Sequence, residues 1–514
     1  MVEALAPQAP LPVLDSRSVQ GPELRLKADV VVVGSGAGGG VVAYELARAG
    51  RSVVVVEAGA YVPSSAFTET LESMFDRVYQ DAGGQMNTDG DLMVLQGRCV
   101  GGSTVVNGAV CFRIPPRVLE KWQTVHGLVG HTAERLSAIY AVMEKRLSVH
   151  VNAPHEINAN SAVLVRGCEK LGWHHAPLAR NVKDCALTGF CFHGCASDRK
   201  QSALVTHLPW AVAHGAQIIA ETQIDRVRLV DGRAVGVEGT LRRGGDGEPV
   251  ARVVVDAERV VVAAGAIQSP LLLQRSEVPD PHDHIGRHLA LHPSALVVGR
   301  FPERLDAWRG ATVGAACHAF DEDERGGFLL EGGMASPDTL SMMLPSYGPA
   351  FVEGMRHYRH LASVACLIHD ENVGRVYAEG GTKKIEYRLA DSDRARMLEA
   401  MRAAARIYFA AGATHVYLPT HGPGVVEGEA ALDAALAALP LGPHAVKMIS
   451  YHPQGTCRMG ADPEASVVSP TGELHRVRGL FVADASLFPT SILVNPQMTV
   501  YALAGLIAEG LKTA

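Results

Sequence analysis

The stretch ADVVVVGSGAGGGVVAYELARAGRSVVVVEAG, residues 28–59, leaves the chain few folds to choose from. It is a valine run, a glycine turn, a helical pattern and a second valine run, together one strand–helix–strand unit. Strands apolar along their whole length are buried on both faces, which is the habit of a parallel sheet covered by helices. Gly34-Ser35-Gly36-Ala37-Gly38-Gly39 fits G-x-G-x-x-G. In that pattern Gly34 makes the tight turn, Gly36 lets backbone reach a pyrophosphate, and Gly39 lets helix pack on strand. The helix that follows aims its dipole and free N–H groups at phosphates. Glu57 closes the second strand, where a carboxylate accepts from ribose hydroxyls. The glycines alone fit any tight turn. With a strand before them and Glu57 after, they predict dinucleotide binding.

A chain of 514 residues exceeds one ordinary core, so at least two domains are expected. Sheet-like text returns at residues 216–241 and 258–276 and again in the tail, interrupted by a region of different texture. That region mixes short alternating runs with one amphipathic helix, DRARMLEAMRAAARIYFAAG. The expected fold class is therefore α/β, a Rossmann-like dinucleotide-binding domain with a second α+β substrate domain on an antiparallel sheet. The first takes residues 25–118, 200–295 and 447–514; the second takes 119–199 and 296–446. A net charge of −7 makes no case for nucleic acid or an anionic membrane surface. No uncharged apolar run is long enough to span a membrane. The first 29 residues lack the basic and apolar segments of a signal peptide and are expected to be a flexible lead-in. Nine Cys without an export signal point to reduced thiols and a cytoplasmic protein.

Two further segments carry chemistry. LQGRCVGGSTVVNGAVCFR, residues 95–113, is a second glycine-rich loop threaded with apolar residues, the kind of backbone cradle that FAD, bulky along its whole length, requires. SYHPQGTCRMG, residues 450–460, holds His452 and Cys457. On its own it fits a metal pair, a nucleophile with its base, a base serving a cofactor, or a packed turn.

Six separated motifs then fall in one order: residues 34–39 with Glu57, GRCVGGSTVVN, GAIQSPLLLQRS, HIGRHLALHP, YHPQGTCRMG, and the tail GLFVADASLFP … NPQMTVYALA. Together they resemble the glucose–methanol–choline (GMC) oxidoreductases, and CALTGFCFHGCASDRKQSALVTHLPWAVAHGA is most similar to the long-chain alcohol oxidase branch. The resemblance implies FAD, with Gly34, Gly36, Gly39 and Glu57 on its ADP half. It implies Arg98, Gly102, Ser103 and Asn107 on the flavin and pyrophosphate side, the Ile224 backbone at adenine, and Asp484 and Ala485 by the pyrophosphate and ribityl chain. Pro496 and Met498 are implied cofactor contacts at the last helix. Where some members tether FAD through a His, this chain has Val106, so FAD is expected to be non-covalent.

By the same resemblance His452 is the catalytic base and Asn495 its partner. Alcohol oxidation removes a hydroxyl proton while a hydride leaves the carbinol carbon. An imidazole near neutral pKa accepts the proton, and an amide can stabilise the oxygen as it gains alkoxide character. Asn495 and Pro496 are expected to be N-cap and first residue of the last helix. The partners implied are an apolar alcohol and oxygen or another electron acceptor; a lyase or decarboxylase on the same FAD scaffold is the alternative. The spacings of Cys185, Cys191 and Cys195 do not match zinc or iron–sulfur sites, so a buried, loop-stabilising thiol cluster and no metal are expected. His292 is assigned a structural role near the dinucleotide. Met342, Met343, Leu344 and Phe351 suggest an apolar substrate pocket, though such a run also suits a core.

Overall fold

The protein is described from a computed structural model, over residues 10–513 apart from 334, 346, 372–373, 423 and 440–442. The strand–helix–strand unit forms as the valines predict. Strand β1 (Glu23–Val33) leads through the glycine turn into helix α1 (Ala37–Arg48) and strand β2 (Val53–Val56). Val30–Val33 and Val53–Val56 are all buried, as strands with helices over both faces must be. β1 pairs in parallel with β2 on one side (Val30↔Val53) and with Pro249–Val262 on the other (Val30↔Arg259). Gln217–Ile219 extends the sheet beside β2, Leu480–Val482 pairs in parallel with Val260–Val262, and the antiparallel strands Thr222–Val230 and Arg233–Arg242 complete it. α1 packs against the last helix, Gln497–Thr513. Helices Pro116–Thr124 and Ala133–Arg146 join the same core through Trp122, Leu136 and Tyr140. We propose a two-domain division in which these two helices lie on the dinucleotide side, although residues 119–199 were expected in the second domain.

The described part of the lead-in, from residue 10, is tied to the fold. Leu14 bridges Ile219, Ser16 N donates to Glu221 Oε2 at 3.0 Å, and β1 starts at Glu23, five residues ahead of the valine stretch. A buried Asp15 accepts from Arg17 and Ser18 and closes the turn.

Among the described residues the second sheet has nine strands. Its main path runs Val425–Glu427, His415–Tyr417, Ser294–Arg300, Leu361–Ile368, Phe328–Gly332, Ala315–Cys317 and His175–Pro177, all antiparallel. Met448–Ser450 and Leu92–Val94 add one parallel pair at Ser294. One face packs on helices Ala159–Leu171 and Asp391–Ala411 through Val297, Leu330, Val364 and Cys366. Side chains alternate along a strand, so Ser294, Leu296, Glu331, Ala365 and Leu367 project from the opposite face. That face roofs a cavity whose floor is the carboxyl ends of the parallel strands.

Candidate active site

In parallel α/β sheets ligands sit beyond the carboxyl ends of the strands, and the cavity occupies that place. Its floor is built by three turns. The first follows β1. Gly34 has φ +102, and a Cβ on it would lie 2.3 Å from Ala263 O. Gly36 is the N-cap of α1 and no side chain caps that end, so first-turn N–H groups face the cavity. A Cβ on Gly36 would touch no atom closer than Gly102 Cα at 4.0 Å, so the backbone there is open to the cavity. At Gly39 a Cβ would meet Gly34 O at 2.0 Å, which is helix–strand packing; Gly39 is not a cavity wall. Gly38, to which the motif gave no role, is tighter still: its Cβ would lie 1.6 Å from Ala483 O.

Glu57 lines the cavity, but its carboxylate also organises the turn. Oε2 accepts from Ser35 N at 3.0 Å and Ser35 Oγ at 2.6 Å, and Oε1 accepts from Gly59 N at 2.9 Å. The second turn is Ala263–Gly265 with Asp484. Asp484 Oδ2 accepts from Gly265 N at 2.8 Å and from Ser269 Oγ at 2.5 Å, joining the ends of two strands. The third is the loop of residues 97–107. Gly102 has φ +54 and closes on Gly36, and Ser103 Oγ accepts from Gly97 N at 2.9 Å.

Of the predicted cofactor residues, Gly34, Gly36, Glu57, Arg98, Gly102, Ser103, Asn107, Ile224, Asp484, Ala485 and Pro496 all line this cavity. Arg98 turns its charge outward, donating to Asp246 at 2.7 Å and to Gly245 O at 3.0 Å. Met498 is a correction: it is buried in the core and lies outside the cavity lining. The lining residue there is Gln497, which bonds Asn107 and, through Nε2, donates to Val110 O at 2.6 Å. The helix boundary also moves by one residue. Val500 N donates to Pro496 O at 3.0 Å, so Pro496 holds the N-cap place expected for Asn495.

His452 and Asn495 enter the same cavity from two loops of the tail. Burial pushes the His452 imidazole down to about 4, so it is neutral at pH 7 and free to accept. Its Nδ1 lies 3.1 Å from Nδ1 of His292, and the two nitrogens share one hydrogen. His292, assigned a structural role, is fully buried against the candidate base and outside the cavity lining. Its backbone N–H and that of Leu291 donate to the buried carboxyl of Asp370, which also accepts from Tyr387 OH at 2.8 Å.

Glu331 was not anticipated. It lines the cavity, buried, with Oε2 accepting from Asn495 Nδ2 at 3.4 Å. A lone Glu inside FLLEGG was the available signal, because a fully buried Glu is rare unless paired. Val106, Val110, Leu296, Val313 and Leu367 make the remaining wall apolar.

The other expectations resolve around this site. Met343 and Leu344 are core and Met342 and Phe351 pack against it; none of the four lines the cavity. Cys185, Cys191 and Cys195 are half-buried free thiols. Cys191 Sγ accepts from Arg180 at 3.1 Å, while buried Lys200 donates to the carbonyls of Val105, Asn107 and Cys191, tying this loop to the cavity wall. Among the described residues no three His, Cys, Asp or Glu side chains cluster as metal ligands, and no helix is long and apolar enough to cross a membrane.

Known proteins match this chain in sequence and in fold. Models of the GMC oxidoreductase family match residues 75–294 and 371–504, and an FAD binding domain model matches 29–85. An uncharacterised GMC-type oxidoreductase of Mycobacterium tuberculosis is 36% identical over 513 residues, 99% of this chain and 79% of that one. A long-chain-alcohol oxidase of Arabidopsis thaliana is 30% identical over 546 residues, 100% of this chain and 72% of its own. The crystal structure of pyridoxine 4-oxidase from Mesorbium loti superposes with a TM-score of 0.71 over 95% of this chain and 99% of that one, at 19% identity, and shows the shared fold.

Proposed function

We propose that this chain, which belongs to the GMC oxidoreductase family and is an FAD-dependent oxidoreductase, oxidises the CH–OH group of an apolar alcohol to an aldehyde or ketone. The carrying observation is that His452 and Asn495 line the cavity that the glycine turns build, together with Val106, Val110, Leu296, Val313 and Leu367. FAD, when bound, supplies the acceptor for the hydride. Everything else falls to the protein. The uncapped end of α1 would hold the pyrophosphate, and Glu57 and Asp484 fix the turns that would surround it. His452 accepts the hydroxyl proton and Asn495 hydrogen-bonds the oxygen as its charge grows. The valine and leucine wall takes the apolar body of the substrate, and the relatives named long-chain-alcohol oxidase support that class. Oxygen or another acceptor takes the electrons onward. FAD is held without a covalent bond, since Val106 offers no nucleophile. Nine free cysteines suit a reducing compartment such as the cytoplasm.

The test is anaerobic mixing of the holoenzyme with fatty, aryl, terpenoid, steroid and sugar alcohols. Bleaching of the flavin by an apolar alcohol is expected, and the hit repeated in air with peroxide detection identifies the acceptor. His452→Ala should slow bleaching at least 100-fold with FAD retained. A flavin that no alcohol bleaches would refute the reading.

A further inference from the structure

Glu331 stands on Phe328–Gly332 of the second sheet, on the face that roofs the cavity, and its surroundings are unusual for a carboxyl. Its exposure is 4%, and no Lys or Arg is bonded to it among the described residues. Oε2 accepts from Asn495 Nδ2, whereas Oε1 is buried with no partner. Asn495 Oδ1 is likewise buried and unpartnered, as is Ser294 Oγ on the adjoining cavity wall. Orphaned buried polar atoms are costly and cluster where a ligand completes them. Two unmatched acceptors in the cavity that His452 also lines call for a donor, and an alcohol brings one.

We propose that Glu331 is a second proton acceptor of this site, whose unpartnered Oε1 takes the substrate's hydroxyl proton while Oε2 holds the Asn495 amide in one orientation. The proposal rests on the alcohol-oxidation reading above and deepens it. In the step, the O–H bond breaks and its proton passes to Oε1. The carbinol carbon loses a hydride, with its electron pair, to bound FAD, and the C–O bond becomes double. With Nδ2 committed to Oε2 through one hydrogen, its second hydrogen is left to meet the substrate oxygen. Burial pushes the Glu331 carboxyl up to about 7, with Asn495 and the nearby His318 opposing, while it pushes His452 down to about 4. His318, on the loop after Ala315–Cys317, is itself paired with Asp321 at 2.9 Å. Both groups can therefore accept a proton, the carboxylate only above about pH 7. Below about pH 7 Glu331 is protonated and His452 works alone; above it both acceptors are available.

The experiment compares wild type and Glu331→Gln holoenzymes, using the alcohol that bleaches the flavin fastest. Gln keeps the shape and loses the acceptor with a matched pKa. Expected is a wild-type reduction rate that rises through about pH 7, and a variant rate that is flat, ~10-fold or more lower at pH 8 and equal at pH 5.5. A second readout needs no turnover: tert-butanol has no hydride on its carbinol carbon, and its binding is read from the flavin spectrum. Its Kd should weaken ~10-fold at pH 8 in Glu331→Gln, the value of one hydrogen bond to a charged acceptor. Should Gln prevent FAD binding, Glu331→Asp retains the acid one methylene back and should keep the pH rise at a lower rate. Wild-type rate, pH profile and tert-butanol affinity in the variant overturn the role of Glu331. A wild-type flavin that no alcohol reduces overturns the premise instead.

Discussion

A carboxyl buried without a countercharge also predicts a stability effect independent of turnover. Burial raises Glu331 from 4.5 to about 7. At low pH both the folded and the unfolded chain carry the proton and nothing is lost. Between about pH 4.5 and 7 the unfolded chain ionises while the folded one does not, so the folded state loses stability as pH rises. Above 7 both are ionised and the loss is complete. At ~1.4 kcal/mol for each pH unit between the two values, the full loss is roughly 3 kcal/mol. Glu331→Gln removes this titration, and its amide can also donate to the orphaned Oδ1 of Asn495. For a chain of this length the unfolding entropy is about 1.1 kcal/mol per degree, so 3 kcal/mol moves Tm by roughly 3 °C. The assay is calorimetry of both holoenzymes at pH 5 and pH 8. The difference between them cancels every other titrating group, including the buried histidines. Expected is a variant that gains roughly 3 °C on wild type between the two pH values. Parallel Tm curves would refute the claim that Glu331 is buried uncharged.

Three other outcomes follow from the same geometry. Gly38→Ala puts a methyl 1.6 Å from Ala483 O, a backbone atom that cannot swing aside, so α1 must shift from the strand ends; the purified protein should show an FAD-to-protein absorbance ratio well below wild type. His292→Ala frees the His452 ring from its 3.1 Å partner and should lower kcat ~10- to 100-fold, with FAD content and KM unchanged. Acid precipitation should leave all flavin colour in the supernatant, because Val106 stands at the cavity wall where a tethering side chain would be needed.

Much of the cofactor cradle was legible in the sequence because each of its parts is local. The valine runs specify buried parallel strands, and the glycines that follow are needed where backbone meets backbone within a few residues. What was not legible depends on phase and on distance. Gln497 and Met498 are neighbours, and a helix turns about 100° per residue, so only the docking of the last helix decides which of them faces the cavity and which the core. His292 meets His452 across 160 residues, a contact that neither segment announces. Leu14 pairs with Ile219 on the edge of a sheet whose other strands lie far along the chain, so the lead-in could not show its order. Glu331 combines both difficulties. Every residue of Phe328–Gly332 is buried, so no polar alternation marks its two faces, and register with Leu361–Ile368 alone turns Leu330 to the helices and Glu331 to the cavity. The residue hardest to read is also the one whose burial is least favourable unless something uses it. A free-energy cost near 3 kcal/mol at neutral pH is retained in a sheet that could hold Gln or Met at the same place, and the simplest use for such a carboxyl is to take a proton there.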